Sequence, residues 1–201
     1  IVMFLYDLRQ VIKLQVIGLK YASHGILLLS ERSGVMRAVG EFCVHPGQGV
    51  CLVENVVSEP TPAYVLSPIG QKHPVQIVFP LDQEFRLRDL MTHDEAMNLV
   101  DTYPQIELIT FHIHNASLEE SHFRHAIREG SCKDSFSIAK TFRARIDKAR
   151  SLNKKPPVSH ERIFKMASNR GLYELITALN CTVDEIQKVF SSRYGVEIGK
   201  A

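Results

Sequence analysis

The sequence predicts an α+β protein: a small N-terminal β-barrel of SH3-like or Tudor-like type, followed by a C-terminal bundle of about five helices. Three observations carry that expectation. Apolar residues alternate with period two through residues 39–80, and the period changes to 3.6 after residue 92. Helix-capping pairs then recur, at Thr92 with Glu95, Ser117 with Glu120, Ser131 with Asp134 and Thr182 with Glu185.

The first strands lie in VGEFCVHPGQGVCLVENV, residues 39–56. Phe42 and Val44 alternate with Cys43, Val50 and Leu52 continue the alternation, and Pro46, Gly47, Gln48 and Gly49 form the hinge between the two runs. Pro46 presets φ, and Gly47 and Gly49 accept the positive φ of a tight reversal. The Glu59-Pro60-Thr61-Pro62 turn leads to a third strand at 63–67. Pro68 to Lys72 turns the chain into a fourth at 75–79, which Pro80 stops. Four short strands in so few residues suit a curled barrel too small to enclose a substrate.

The helices follow in order. Thr92 and Glu95 cap one through Ala96, Leu99 and Val100 to Tyr103, ended by Pro104. Ser117 caps a second that closes at Gly130. Ser131 caps a third to about Asn153, with the apolar stripe Phe136, Ala139, Phe142, Ile146 and Ala149; Lys140, Arg143, Lys148 and Arg150 lie off it. After the break Lys154-Lys155-Pro156-Pro157, Ser159 opens a fourth through Ile163, Met166 and Ala167 to Leu179. Thr182 caps the last to about Arg193, with Gly195 beyond. The expected domains are residues 36–90 for the barrel and 91–201 for the helices. Residues 1–35 are read as an extension outside the functional fold.

The overall charge of +2 conceals a division along the chain. Residues 36–123 hold 4 Lys+Arg against 12 Asp+Glu, a net of −8, whereas residues 124–170 hold 13 against 4, a net of +9. Such a division suits one part that meets protein and another that meets nucleic acid, although two solvated faces of ordinary domains would also produce it. Asp7, Arg9, Lys13, Lys20 and His24 break the apolar N-terminal runs below the roughly 20 residues that span a bilayer. No basic start or small-residue cleavage site marks a signal peptide, so a cytoplasmic protein is expected.

Cys43, Cys51, Cys132 and Cys181 form no C-x-x-C pair. They read as buried thiols, with a disulfide between Cys43 and Cys51 across the hinge as the alternative. His112, His114, His122 and His125 could in principle hold zinc, but their spacing is that of no known finger; surface or capping histidines are the simpler reading, and no cofactor or metal is assigned.

The order V-G-[ED]-x-x-V-x-P-x-x-G-V/A-x-x-V-E at residues 39–54 is followed by Tyr64-Val65-Leu66, an apolar strand closing on Pro80, Leu87-Arg88-Asp89-Leu90 and an acidic helix. Together these resemble the CarD/CdnL family of transcription regulators, whose barrel is shared with the polymerase-interacting domain of transcription-repair coupling factor. The likeness covers residues 36–103, and GSCKDSFSIAKTFRARI and HERIFKMA extend it over two family helices.

The resemblance implies a monomeric, nucleoid-associated regulator that is not an enzyme. Its barrel would dock on the β subunit of bacterial RNA polymerase through Val75, Gln76, Ile77, Val78 and Phe79. Its helices would contact promoter DNA upstream of the bubble, largely without sequence preference, through Arg124, Arg128, Lys140, Arg143, Arg145, Arg162 and Lys165. By favouring the open complex over the closed one it would modulate open-complex stability. The chain departs from the family at two functional points, the first being that it has no Trp to act as a minor-groove wedge. Leu118 is the nearest positional stand-in, with Phe111 and Phe123 as aromatic candidates. Another departure is Val78, where some members carry Arg before the closing strand's end, which makes the docking edge more apolar.

Other classes fit less well. The chain contains no G-x-x-x-x-G-K-[ST], G-x-S-x-G or H-E-x-x-H motif. A metal hydrolase built on the four histidines is the surviving enzyme alternative. An RNA-binding or ribosome-associated module is the other, with Phe42, Tyr64 and Phe79 as the only barrel aromatics available for base stacking.

Overall fold

The computed structural model describes residues 36–71, 73 and 75–198. The expectation about residues 1–35 lies outside them. The chain forms a five-stranded antiparallel sheet followed by five α-helices, an α+β arrangement. The strands are β1 (Phe42–His45), β2 (Gly49–Val57), β3 (Ala63–Pro68), β4 (Ile77–Pro80) and β5 (Arg88–Asp89), in the order β4-β3-β2-β1-β5.

The sheet corrects the expected barrel, because β4 and β5 are its two edges and do not pair with each other. The fifth strand was not legible as one. Only two residues long, it pairs Val44 with Arg88 and Cys43 with Asp89, and so carries no alternation of its own. The hinge forms where predicted: Phe42, Cys43, Val44 and His45 oppose Leu52, Cys51, Val50 and Gly49, with Gly49 at φ +90°, whereas Gly47, also expected to take positive φ, does not. β4 begins two residues later than expected and includes Pro80, which opposes Ala63. An edge strand tolerates a residue that cannot donate a hydrogen bond. A register shift between Val53 and Asn55 adds a bulge to β2.

The helices are α1 (His93–Asp101), α2 (Ala116–Glu129), α3 (Cys132–Ser151), α4 (Val158–Leu179) and α5 (Val183–Tyr194). Reciprocal capping boxes start α1, α3 and α5 at Thr92, Ser131 and Thr182. Two starts differ from expectation. Asn115, not Ser117, caps α2, its side chain accepting from the backbone of Ser117 and Leu118. α4 begins at Val158 behind Pro157, with Ser159 already inside it.

α4 organises the molecule, packing against α1, α2, α3, α5 and β2. One core joins α1, α3, α4 and α5 around Tyr103, Phe136, Leu175 and Phe190. A second joins α2, α3 and α4 around Phe123, Phe142, Ile146 and Ile163, and a third fills the sheet with Cys43, Cys51, Val53, Tyr64, Leu66 and Phe79. Sheet and bundle are bound by ionic contacts. Arg88 of β5 holds Glu174 of α4 through two bonds, of 2.6 and 2.8 Å, and Arg170 of α4 donates to the His45 carbonyl at 2.9 Å. None of the described helices is long and apolar enough to cross a membrane.

Candidate functional site

Two surfaces hold the residues singled out from the sequence. The first is the β4 edge, on whose outer side no strand pairs among the described residues. Val78 points outward and is 67% exposed; Val75 and Gln76, just before the strand, are exposed, and Gln76 donates to Glu54 at 2.5 Å. Phe79 corrects the expectation, being 5% exposed in the sheet core, its ring 5.3 Å from that of His45. Ile77 is half-buried against the same core. The strand's alternation turns these two inward, leaving only their main chain for a partner. Phe85, which sequence reasoning missed, is 84% exposed on the 3₁₀ turn Leu81–Arg86 beyond the edge. An apolar residue inside the acidic Leu-Asp-Gln-Glu-Phe-Arg was the available signal.

The second surface is the seam between α2 and α4. Glu120 accepts from Arg124 at 2.9 Å and lies 3.6 Å from Arg162, tying the two helices together at one point. Arg124, Arg128, Arg162 and Lys165 are all exposed, Arg162 at 65% of its side chain. Leu118 stands out from the first turn of α2, 61% exposed. Of the aromatic candidates, Phe111 is exposed beside the His122 ring, whereas Phe123 is buried between helices and cannot reach a ligand.

Three of the expected DNA-contacting cations do other work. Lys140 spends its ammonium on the carbonyls of Tyr103, Pro104 and Ile106, at 3.1, 3.2 and 2.7 Å, and so holds the α1–α2 connection to α3. Arg145 binds Glu119 and the Phe111 carbonyl, at 2.8 and 2.7 Å, and stacks over the Phe142 ring. Arg143 pairs with Asp147 at 3.2 Å and lies over Phe164, on a pocket rimmed by Tyr103, Tyr194 and Ile198 rather than on the seam. Off-stripe helix positions look solvent-facing in sequence, but a second helix or a loop can cover them.

A buried acid supports the start of α2. Glu119, 2% exposed, has His112 Nδ1 at 2.9 Å, Arg145 at 2.8 Å and His160 Nε2 at 3.3 Å. Burial pushes its carboxyl up, but the bonds from His112 and Arg145 outweigh this and hold it below the ordinary carboxylate value. Burial depresses His160, with Glu119 opposing. His160 Nδ1 is buried and has no hydrogen-bond partner among the described residues. The four sequence-flagged histidines do not converge. His112 contacts His114, His122 lies against Phe111, and among the described residues no group of three or more ligating side chains is placed to hold a metal.

The cysteines are free thiols. Cys43 and Cys51 oppose each other across the hairpin, and burial raises them to about 11 and about 12. Comparison of the chain with protein-family models and with curated proteins gives no match.

Proposed function

We propose that this protein is a transcription regulator of the CarD/CdnL type, docking on the β subunit of bacterial RNA polymerase and contacting promoter DNA upstream of the bubble. The observation that carries this reading is the rigid coupling of two unlike surfaces. An open strand edge with Val75 and Val78 exposed belongs to the same compact unit as the cationic α2–α4 seam, with Arg88 and Glu174 fastening sheet to bundle. A sheet edge with free main-chain groups suits strand addition by a protein partner. Exposed cations on a helical seam suit phosphates and carry little sequence information.

The mechanism is a tether. Docking through β4 raises the local concentration of the seam at upstream DNA, so that weak contacts from Arg124, Arg162 and Lys165 suffice. Leu118, exposed in the first turn of α2, would serve as the apolar wedge in place of the missing Trp. Tighter binding to open than to closed promoter shifts that equilibrium toward open, because only differential affinity can do so. The reading involves no bond-making step.

The RNA-binding alternative is disfavoured by burial of Tyr64 and Phe79, which leaves Phe42 as the one exposed aromatic among the sheet strands described. The test is capture of the isolated β-subunit lobe by the full chain, together with open-complex lifetime on a promoter. Val78→Glu should abolish capture, and Arg162→Glu should shorten the lifetime while leaving capture intact. Capture indifferent to Val78→Glu, or a lifetime unchanged by Arg162→Glu, overturns the reading.

A further inference from the structure

Where the α2–α4 seam meets the sheet it widens into a groove of about 480 Å³, walled on one side by the hinge turn from Pro46 to Gly49 and on the other by Arg124, Arg128, Asn169 and Arg170. Three arginines and no Asp or Glu line it. Arg170 is held in place by two carbonyls, those of His45 at 2.9 Å and Arg128 at 3.4 Å, with its Nε buried and unpartnered. Arg128 is exposed, and its guanidinium has no partner among the described residues. Gly49, at φ +90°, brings the turn close: a Cβ there would stand 3.4 Å from Arg170 Nη1. On the rim, Gln48 accepts from Gln71 at 3.0 Å.

We infer that this groove is a phosphate site for the backbone of nucleic acid, with the β1–β2 turn as its second wall, so that the sheet as well as the bundle touches DNA. The inference rests on the DNA-binding reading above and extends it from Arg124 and Arg128 to the hinge turn, Asn169 and Arg170. Spacing supports it. Arg162, Met166, Arg170 and Tyr173 recur on one face of α4, and Arg162 to Arg170 spans about 12 Å at 1.5 Å per residue. Arg124 and Arg128 run one turn apart on α2 beside them. A phosphodiester chain, with one charge per 3.4 Å of helix axis on each strand, has several phosphates over such a length. Electrostatics agrees. Burial first, then the nearby charges of Arg170, Arg86 and Arg128, depress His45, the turn's own titratable group, so three guanidinium groups act on the turn. The groove is polar as well as basic, with Gln48, Gln71 and Asn169 as amide donors for phosphate or sugar oxygens.

The full chain would be titrated with a fluorescent 20-base-pair duplex at several salt concentrations, as wild type, Arg128→Ala and Gln48→Glu. Circular dichroism would confirm that each variant is folded. Gln48→Glu keeps the acceptor for Gln71 while placing a carboxylate in the groove. The inference predicts several-fold weaker binding for both variants, and a slope of log K against log [salt] shallower by about 0.9 for Arg128→Ala. Wild-type duplex binding that both folded variants reproduce overturns the groove and leaves the DNA reading standing. No salt-dependent duplex binding by the wild type overturns the DNA reading, and the groove with it. If instead Gln48→Glu abolishes capture of the β-subunit lobe and leaves duplex binding unchanged, the groove serves a protein and the assignment to nucleic acid is wrong.

Discussion

Arg88 of the short edge strand β5 grips Glu174 of α4 with two parallel bonds, of 2.6 and 2.8 Å, and Glu174 is 1% exposed while the Arg88 side chain keeps 38%. The pair is asymmetric in solvation, and this sets what each half costs to remove. Arg88→Met strands a buried carboxylate, and a loss of about 3–5 kcal/mol is expected in urea unfolding. Glu174→Gln leaves a guanidinium that water can reach, so the loss should be clearly smaller. Equal losses would show that the buried carboxylate is not the costly partner.

Acid should weaken the fold in two steps. His45 and His160 are depressed below the ordinary 6.5, so the unfolded chain takes up their protons first as pH falls below that value, and stability declines from there downward. Glu119 is depressed below 4.5, so its contribution is complete above that value and is lost as pH falls through its lower folded value. Thermal melts should therefore be flat from about pH 7 to 8 and fall as pH drops below about 6.5. His160→Gln should reduce the upper step and leave the lower one. A melting temperature that rises between pH 6.5 and 5 would contradict the assignment.

Gly70 tests how tightly the β3–β4 turn sits on α4. It adopts φ +79°, and an added Cβ would fall 2.3 Å from the Tyr173 ring. Gly40, at φ +93°, has open space around it. Gly40→Ala should cost about 1 kcal/mol of backbone strain, and Gly70→Ala more. In a Tyr173→Ala background the excess should vanish, which a double-mutant cycle measures.

Thiol labelling should rank the cysteines. Cys43, Cys51 and Cys132 are buried and raised by burial, whereas Cys181 is only partly covered. Iodoacetamide at pH 8 should modify Cys181 first and the other three at the rate of unfolding. Early modification of Cys43 would mean that the hairpin opens locally.

Much of this was written locally. The hinge Pro46 to Gly49, the capping boxes at Thr92, Ser131 and Thr182, and the apolar stripe Phe136, Ala139, Phe142 and Ile146 appear in the structure where their spacing puts them. These signals act within a few residues, through φ preference, a cap or a period. The candidate site was legible only in part. Arg124, Arg128, Arg162 and Lys165 stay exposed, with Arg124 and Arg162 sharing Glu120, whereas Lys140 and Arg145 are spent on partners 26 to 37 residues away.

By itself, then, the sequence determined the class of fold, the order of its elements and the opposition of an acidic and a basic half. Only tertiary structure decided that, among the described residues, the sheet stays open with β4 as an edge, since closure depends on pairing between strands distant in the chain. Tertiary contact likewise decided which cations are spent. A charge is available or consumed according to what other helices bring within about 3 Å of it, and no local pattern encodes that distance. The hinge shows both levels: its turn follows from proline and glycine, and its place opposite Arg170 follows from the way α4 packs on β2.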